Sequence, residues 1–189
     1  MKFQPCTYNY SAFRDGDVFF SHGCDFIGWL IRVGQRGIDS ASDLSQPNHT
    51  GFLYQVEGQW FAAEVADNGI QLNSIDEYQK ADNQIVGIMR FSGFSDPATV
   101  SDWRKEMALW IRRKQNSGYD FNGAIHSAIK WWPWLGSKDR EFCSKDVCAW
   151  LIKYGCVWLT PEQDPADLYD TLTRRKDSFE AVLGYKNIP

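Results

Sequence analysis

The sequence predicts an α+β domain with a central antiparallel sheet or partial barrel flanked by helices. Three observations predict it: a strand pattern and a helix pattern open the chain, strand patterns around Glu57-Gly58 fill its middle, and capped amphipathic stretches follow Asp96. With 189 residues, 43% of them hydrophobic, the chain matches one domain of roughly 100–200 residues. No linker rich in Pro, Gly or Ser divides it, so residues 1–189 are read as a single unit.

Asp15-Gly16 is a turn signal, and Asp17-Val18-Phe19-Phe20 after it reads as a short strand. Asp25 can cap a helix carrying Phe26, Leu30 and Val33 on one face, with Gly34 and Gly37 available to end it. A polar loop over Asp39 to Asn48 leads to the first hairpin. There Thr50 to Val56 and Gln59 to Ala66 alternate aromatic or β-branched residues with others around Glu57-Gly58. Ile70 to Leu72 and Gln84 to Phe91 are further strands.

Asp96-Pro97 then opens a helix that buries Val100, Trp103, Met107, Trp110 and Ile111 and stops near Gly118. Asn122 to Trp132 forms another, ended by Pro133. A third starts within a residue or two of Cys143, with Val147, Trp150, Leu151 and Tyr154 as its apolar stripe and Gly155 as its stop. Asp164-Pro165-Ala166 opens a last helix through Leu172.

Composition narrows the function. Lys and Arg number 20 against 24 Asp and Glu, for a formal charge of −4 without a basic stripe, so no nucleic-acid partner is expected. Five cysteines are an odd set in a chain long enough to fold without staples, and this points to a reducing, cytoplasmic setting. No apolar stretch has the length of a signal peptide core or of a transmembrane helix.

Chemistry is confined to few residues. There are three histidines, at 22, 49 and 126. His49 stands out through strand geometry: if Glu57-Gly58 is a two-residue turn, Gly51 faces Glu64, and His49 lies diagonal to Glu64 on the same face. That diagonal is about 7–8 Å between backbones, within reach of a long side chain. Gly51, Ala62 and Ala66 share this face and are expected to leave space around the imidazole, while Phe52, Tyr54, Val56, Phe61 and Val65 make the opposite face a core surface. A half-exposed hairpin with an incidental His–Glu contact is the plainer alternative.

Cys143, in Glu141-Phe142-Cys143-Ser144, is placed at a helix start, where unpaired N–H groups and the macrodipole favour a thiolate. Cys148 falls about 140° further round at ~100° per residue. It is expected to be buried, as are Cys6, Cys24 and Cys156. His22-Gly23-Cys24 offers two metal ligands, but no Cys-x-x-Cys occurs, and neither a metal nor a cofactor is expected. Glycine-rich phosphate loops and a Gly-x-Ser-x-Gly elbow are absent from the sequence. Trp131-Trp132-Pro133-Trp134 reads first as a loop packed on the core and second as an apolar lip able to touch an acyl chain or a membrane transiently.

The order of these pieces resembles the circularly permuted NlpC-type papain-like cysteine hydrolases, the YiiX-like and YebB-like group related to lecithin–retinol acyltransferase. The stretches that carry it are Arg14 to Phe20, Phe26 to Arg32, Asn48-His49-Thr50-Gly51, Ala63-Glu64-Val65, Tyr119 to Gly123 and Phe142 to Val147. Thr50 and Lys145-Asp146 depart from the family's more usual residues. The resemblance implies a permuted papain-like fold, with Cys143 as nucleophile, His49 as general base and Glu64 as the group that orients the imidazole. Tyr119 matches a tyrosine near the family's site, and Ser144, beside the nucleophile, is a second candidate substrate contact. The implied activity is thiol-dependent hydrolysis or acyl transfer at an amide or (thio)ester of a small-molecule, peptide or lipid-acyl substrate. A module that binds an acyl chain, a peptide or a partner without catalysis is the alternative.

Overall fold

The computed structural model describes residues 8–23, 46–66, 69–80, 82–114, 143–161 and 163–183. Among the described residues, seven strands form one antiparallel sheet: β1 (Val18–Gly23), β2 (His49–Val56), β3 (Gln59–Ala66), β4 (Gly69–Ser74), β5 (Gln79–Lys80), β6 (Asn83–Phe91) and β7 (Phe179–Leu183). Their spatial order is β4-β3-β2-β1-β6-β5, and β7 pairs with β6. The described α-helices are α1 (Pro97–Lys114), α2 (Cys143–Lys153) and α3 (Pro165–Arg174). The helices expected after Asp25 and over Asn122 to Trp132 lie outside the described residues.

The central hairpin follows from its turn. Glu57 and Gly58 both have positive φ, 50° and 82°, as the tight turn that matches strand twist requires. Val56 therefore pairs with Gln59 and Phe52 with Ala63. The starts of α1 and α3 are each held by an aspartate: the Asp96 carboxylate accepts from Thr99 N at 2.9 Å and that of Asp164 from Asp167 N at 2.9 Å. The C-terminus of α2 closes as a Schellman motif, with Gly155 N–H bonded to Ile152 O and Cys156 N–H to Leu151 O.

Alternation along the strands divides the interior into two cores. Val18, Phe20, Phe52, Tyr54, Ala63 and Val65 pack with Trp103, Met107, Val147, Leu151, Leu168 and Leu172 of the three helices. Phe52, Trp103, Trp150 and Trp110 follow one another with ring centroids 5.7 to 6.5 Å apart, the spacing aromatic pairs favour. This chain of rings gives three of the nine tryptophans a packing role. Phe19, Leu53, Ala62, Ile85 and Ile88 form the second core, covered by Tyr8, Phe13, Ile75 and Tyr78.

That second core corrects one expectation. Gly51 does not open room around the imidazole, because a Cβ there would lie 2.6 Å from Ala63 O, 2.8 Å from Phe19 Cε1 and 3.0 Å from Glu64 Cβ. The neighbouring strand's Phe19 takes the space, and Ala62 is buried beside it. Gly51→Ala is therefore expected to destabilise the fold by about 1–3 kcal/mol through overpacking, read as a lower urea midpoint. An unchanged midpoint would mean that the contacts relax freely.

Candidate active site

His49 opens β2, and the antiparallel register that pairs Phe52 with Ala63 continues to set Glu64 opposite Gly51, with His49 on the diagonal. The His49 Nε2 is hydrogen-bonded to Glu64 Oε2. The ring is partly exposed, at 24%, whereas Glu64 is at 3%. On its other neighbour, β1, Ser21 pairs with His49, and on the far side of β1 its register against β6 shifts between Phe20 and Ser21. Such an irregularity re-aims side chains near sites.

Cys143 is the first residue of α2 and is 3% exposed. It sits close enough to His49 to share a side-chain hydrogen bond and a direct electrostatic interaction with the ring. With Nε2 engaged by Glu64, Nδ1 is the ring nitrogen that remains. The structure thus brings Cys143, His49 and Glu64 together.

Their charges support one another. Burial pulls the imidazole down, but the negative charges of Cys143 and Glu64 and its hydrogen bonds to both hold it well above its ordinary value. Burial pushes Glu64 up; the imidazolium and the bonds from His49, Tyr78 and Asn73 outweigh it and leave the carboxyl below the usual range. Burial also pushes the Cys148 and Cys156 thiols up to about 12 each. Both are buried, as expected of them, in the setting that makes a thiol unreactive.

Two partners of Glu64 escaped the sequence reading. Asn73 Nδ2 donates to Oε1 at 2.6 Å, and the Tyr78 hydroxyl donates to Oε2 at 2.5 Å. Asn73 lies opposite Ala62, hence diagonal to Glu64 on the same face. That signal was available in the strand register; nothing local in Asp76-Glu77-Tyr78 announced the tyrosine.

Other candidates are placed as follows. Ser144 is fully buried, and its hydroxyl finds no hydrogen-bond partner among the described residues. His22 is buried, with Nδ1 2.8 Å from Gln46 O. Tyr119, His126, Cys6, Cys24 and Trp131 to Trp134 lie outside the described residues. Among the described residues, no group of three or more His, Cys, Asp or Glu side chains is disposed to hold a metal ion. No described helix is long and apolar enough to cross a membrane.

No family model matches the sequence, and no curated protein does. Among solved structures, the chain is similar to the metalloprotein yiiX from Escherichia coli O157:H7. The likeness has a TM-score of 0.50 and 15% identity, and covers 93% of each chain. At that identity it shows the fold, a YiiX-like α+β arrangement.

Proposed function

We propose that the chain is a permuted papain-like thiol hydrolase or acyltransferase that cleaves an amide or (thio)ester through an acyl-enzyme. The observation that carries this reading is the imidazole of His49, hydrogen-bonded to Glu64 and to a cysteine at a helix start.

In the proposed reaction the Cys143 thiolate attacks the carbonyl carbon, a C–S bond forms and the carbonyl oxygen takes up the negative charge. The Cys143 backbone N–H, at the positive end of α2, faces that developing oxyanion. Collapse of the tetrahedral intermediate breaks the bond to the amine, alcohol or thiol, which leaves with the proton from the His49 imidazolium. His49 then takes a proton from water or another acceptor, whose attack on the thioester releases the acyl product and returns the thiolate. Glu64 holds the ring in position through both half-reactions.

The similar solved structure is called a metalloprotein, but a metal is not carried over to these residues. Both oxygens of Glu64 are already engaged, Oε1 by Asn73 and Oε2 by Tyr78 and His49. The donor set is built to orient an imidazole rather than to ligate an ion.

The test is stoichiometric labelling by iodoacetamide at pH 7, mapped by peptide mass spectrometry, beside a p-nitrophenyl ester burst. The expected result is one fast label at Cys143, slow or no label at Cys148 and Cys156, and a burst that disappears in Cys143→Ala. A wild type that labels elsewhere, with Cys143→Ala retaining the burst, would overturn the reading.

A further inference from the structure

We propose that Tyr78 and Asn73 are positioning residues that clamp the two oxygens of Glu64 so that its carboxylate faces His49. This inference rests on the hydrolase reading and deepens it by assigning the groups that set the third member of the site.

The geometry divides the work between the oxygens. Oε1 receives the Asn73 amide at 2.6 Å, and Oε2 receives the Tyr78 hydroxyl at 2.5 Å while also bonding His49. A carboxylate held at one oxygen can still swing about its last torsion; held at both, it has one orientation left. Asn73 comes from β4 and Tyr78 from beyond it, so the two donors approach from independent elements.

Tyr78 is itself fixed on several sides. It ends a single 3-10 turn, Ile75–Tyr78, whose start is capped by the Ser74 side chain bonded to Asp76 N. In such a turn residues i and i+3 eclipse, so Ile75 and Tyr78 project together into the second core. Its ring packs edge-on against Phe19, with centroids 5.2 Å apart. Its carbonyl accepts the Tyr8 hydroxyl at 2.6 Å, and that hydroxyl in turn accepts from Ile85 N at 2.8 Å. A tyrosine so anchored places its O–H with little freedom, which apolar packing alone does not require: phenylalanine would fill the same volume.

The charged and titratable neighbours all fit a hydroxyl that stays a donor. His49 on β2 faces Glu64, the charge of Cys143 on α2 reaches Tyr78, and Glu77 lies on the 3-10 turn itself. Burial and the negative charge of Glu64 hold the Tyr78 phenol well above its ordinary value. It therefore keeps its proton across the working range.

The experiment follows the 13C carboxyl shift of Glu64 against pH, together with the pH dependence of iodoacetamide labelling at Cys143, in wild type, Tyr78→Phe and Asn73→Leu. Each variant removes one donor to the carboxylate, so its titration midpoint is expected to rise by about one pH unit. The acid limb of the labelling profile should rise with it. A merely structural role would lower the thermal midpoint of unfolding while leaving both pH readouts in place, and that result overturns the clamp. Should Cys143 resist labelling in wild type while the Glu64 midpoint still moves, the hydrolase reading fails and the clamp stands. An unmoved Glu64 midpoint overturns the clamp whatever Cys143 does.

Discussion

His49→Ala is expected to slow iodoacetamide labelling of Cys143 at pH 7 by about 100-fold or more, the lower end of what a positioned acid–base group contributes. In the wild type, burial works against the charged ring, but the charges of Cys143 and Glu64 raise it well above 6.5. Its direction decides the sign. A raised value keeps the ring protonated at pH 7, so a cation stands beside the sulfur and favours the thiolate form that attacks an alkylating agent. Without the ring, a thiolate at a position 3% exposed has to form with no adjacent cation, and the reactive fraction falls. The gap between the two proteins should narrow as the pH rises and hydroxide ionises the bare thiol. Labelling rate against pH from 6 to 10 measures this. Equal rates at pH 7 would remove His49 from the proposed mechanism.

The elements that place this pair were legible because local chemistry specifies them. The β2–β3 hairpin needs only alternation and a turn with two positive φ angles, and Val56 pairs with Gln59 as expected. Helix α2 needs only its apolar stripe and Gly155. Contacts set by distant segments were not legible. A glycine opposite Glu64 reads equally as room for a ligand or for a neighbour's ring, and Phe19 of β1 decides in favour of the ring. Tyr78 sits in a polar stretch that looks exposed, and only the fold-back of the 3-10 turn over the second core buries it. Strand β7, Phe179–Leu183, was missed because Glu180 and Ala181 carry no strong strand preference; its pairing with β6, including a register shift between Ile88 and Met89, defines it. The two-residue strand β5 is likewise specified by its partner β6.

Arg90→Met is expected to cost about 3–5 kcal/mol of stability at pH 7, the range for stripping one partner from a buried ion pair. Asp17 is 1% exposed, and Arg90, on the neighbouring strand β6, grips it twice, with Nε 2.9 Å from Oδ1 and Nη2 2.8 Å from Oδ2. The pair anchors β2 as well, since Leu53 N–H donates to Asp17 O and Gly16 N–H to Leu53 O. Burial already outweighs the arginine and raises the Asp17 carboxyl above its ordinary 3.8; without Arg90 it must rise further. A raised carboxyl contributes stability that is present at low pH and lost as the pH climbs through the folded-state value. The deficit of Arg90→Met against wild type should therefore shrink as the pH falls toward 4, where the orphaned Asp17 takes a proton. Asp17→Asn in the Arg90→Met background should recover part of the loss at pH 7 by removing the uncompensated charge. Urea denaturation at pH 7 and pH 4.5 checks both. A deficit below about 1 kcal/mol at pH 7, the scale of an exposed pair, or one that does not change with pH would show that neighbouring hydrogen bonds, and not the guanidinium, hold the turn to the sheet.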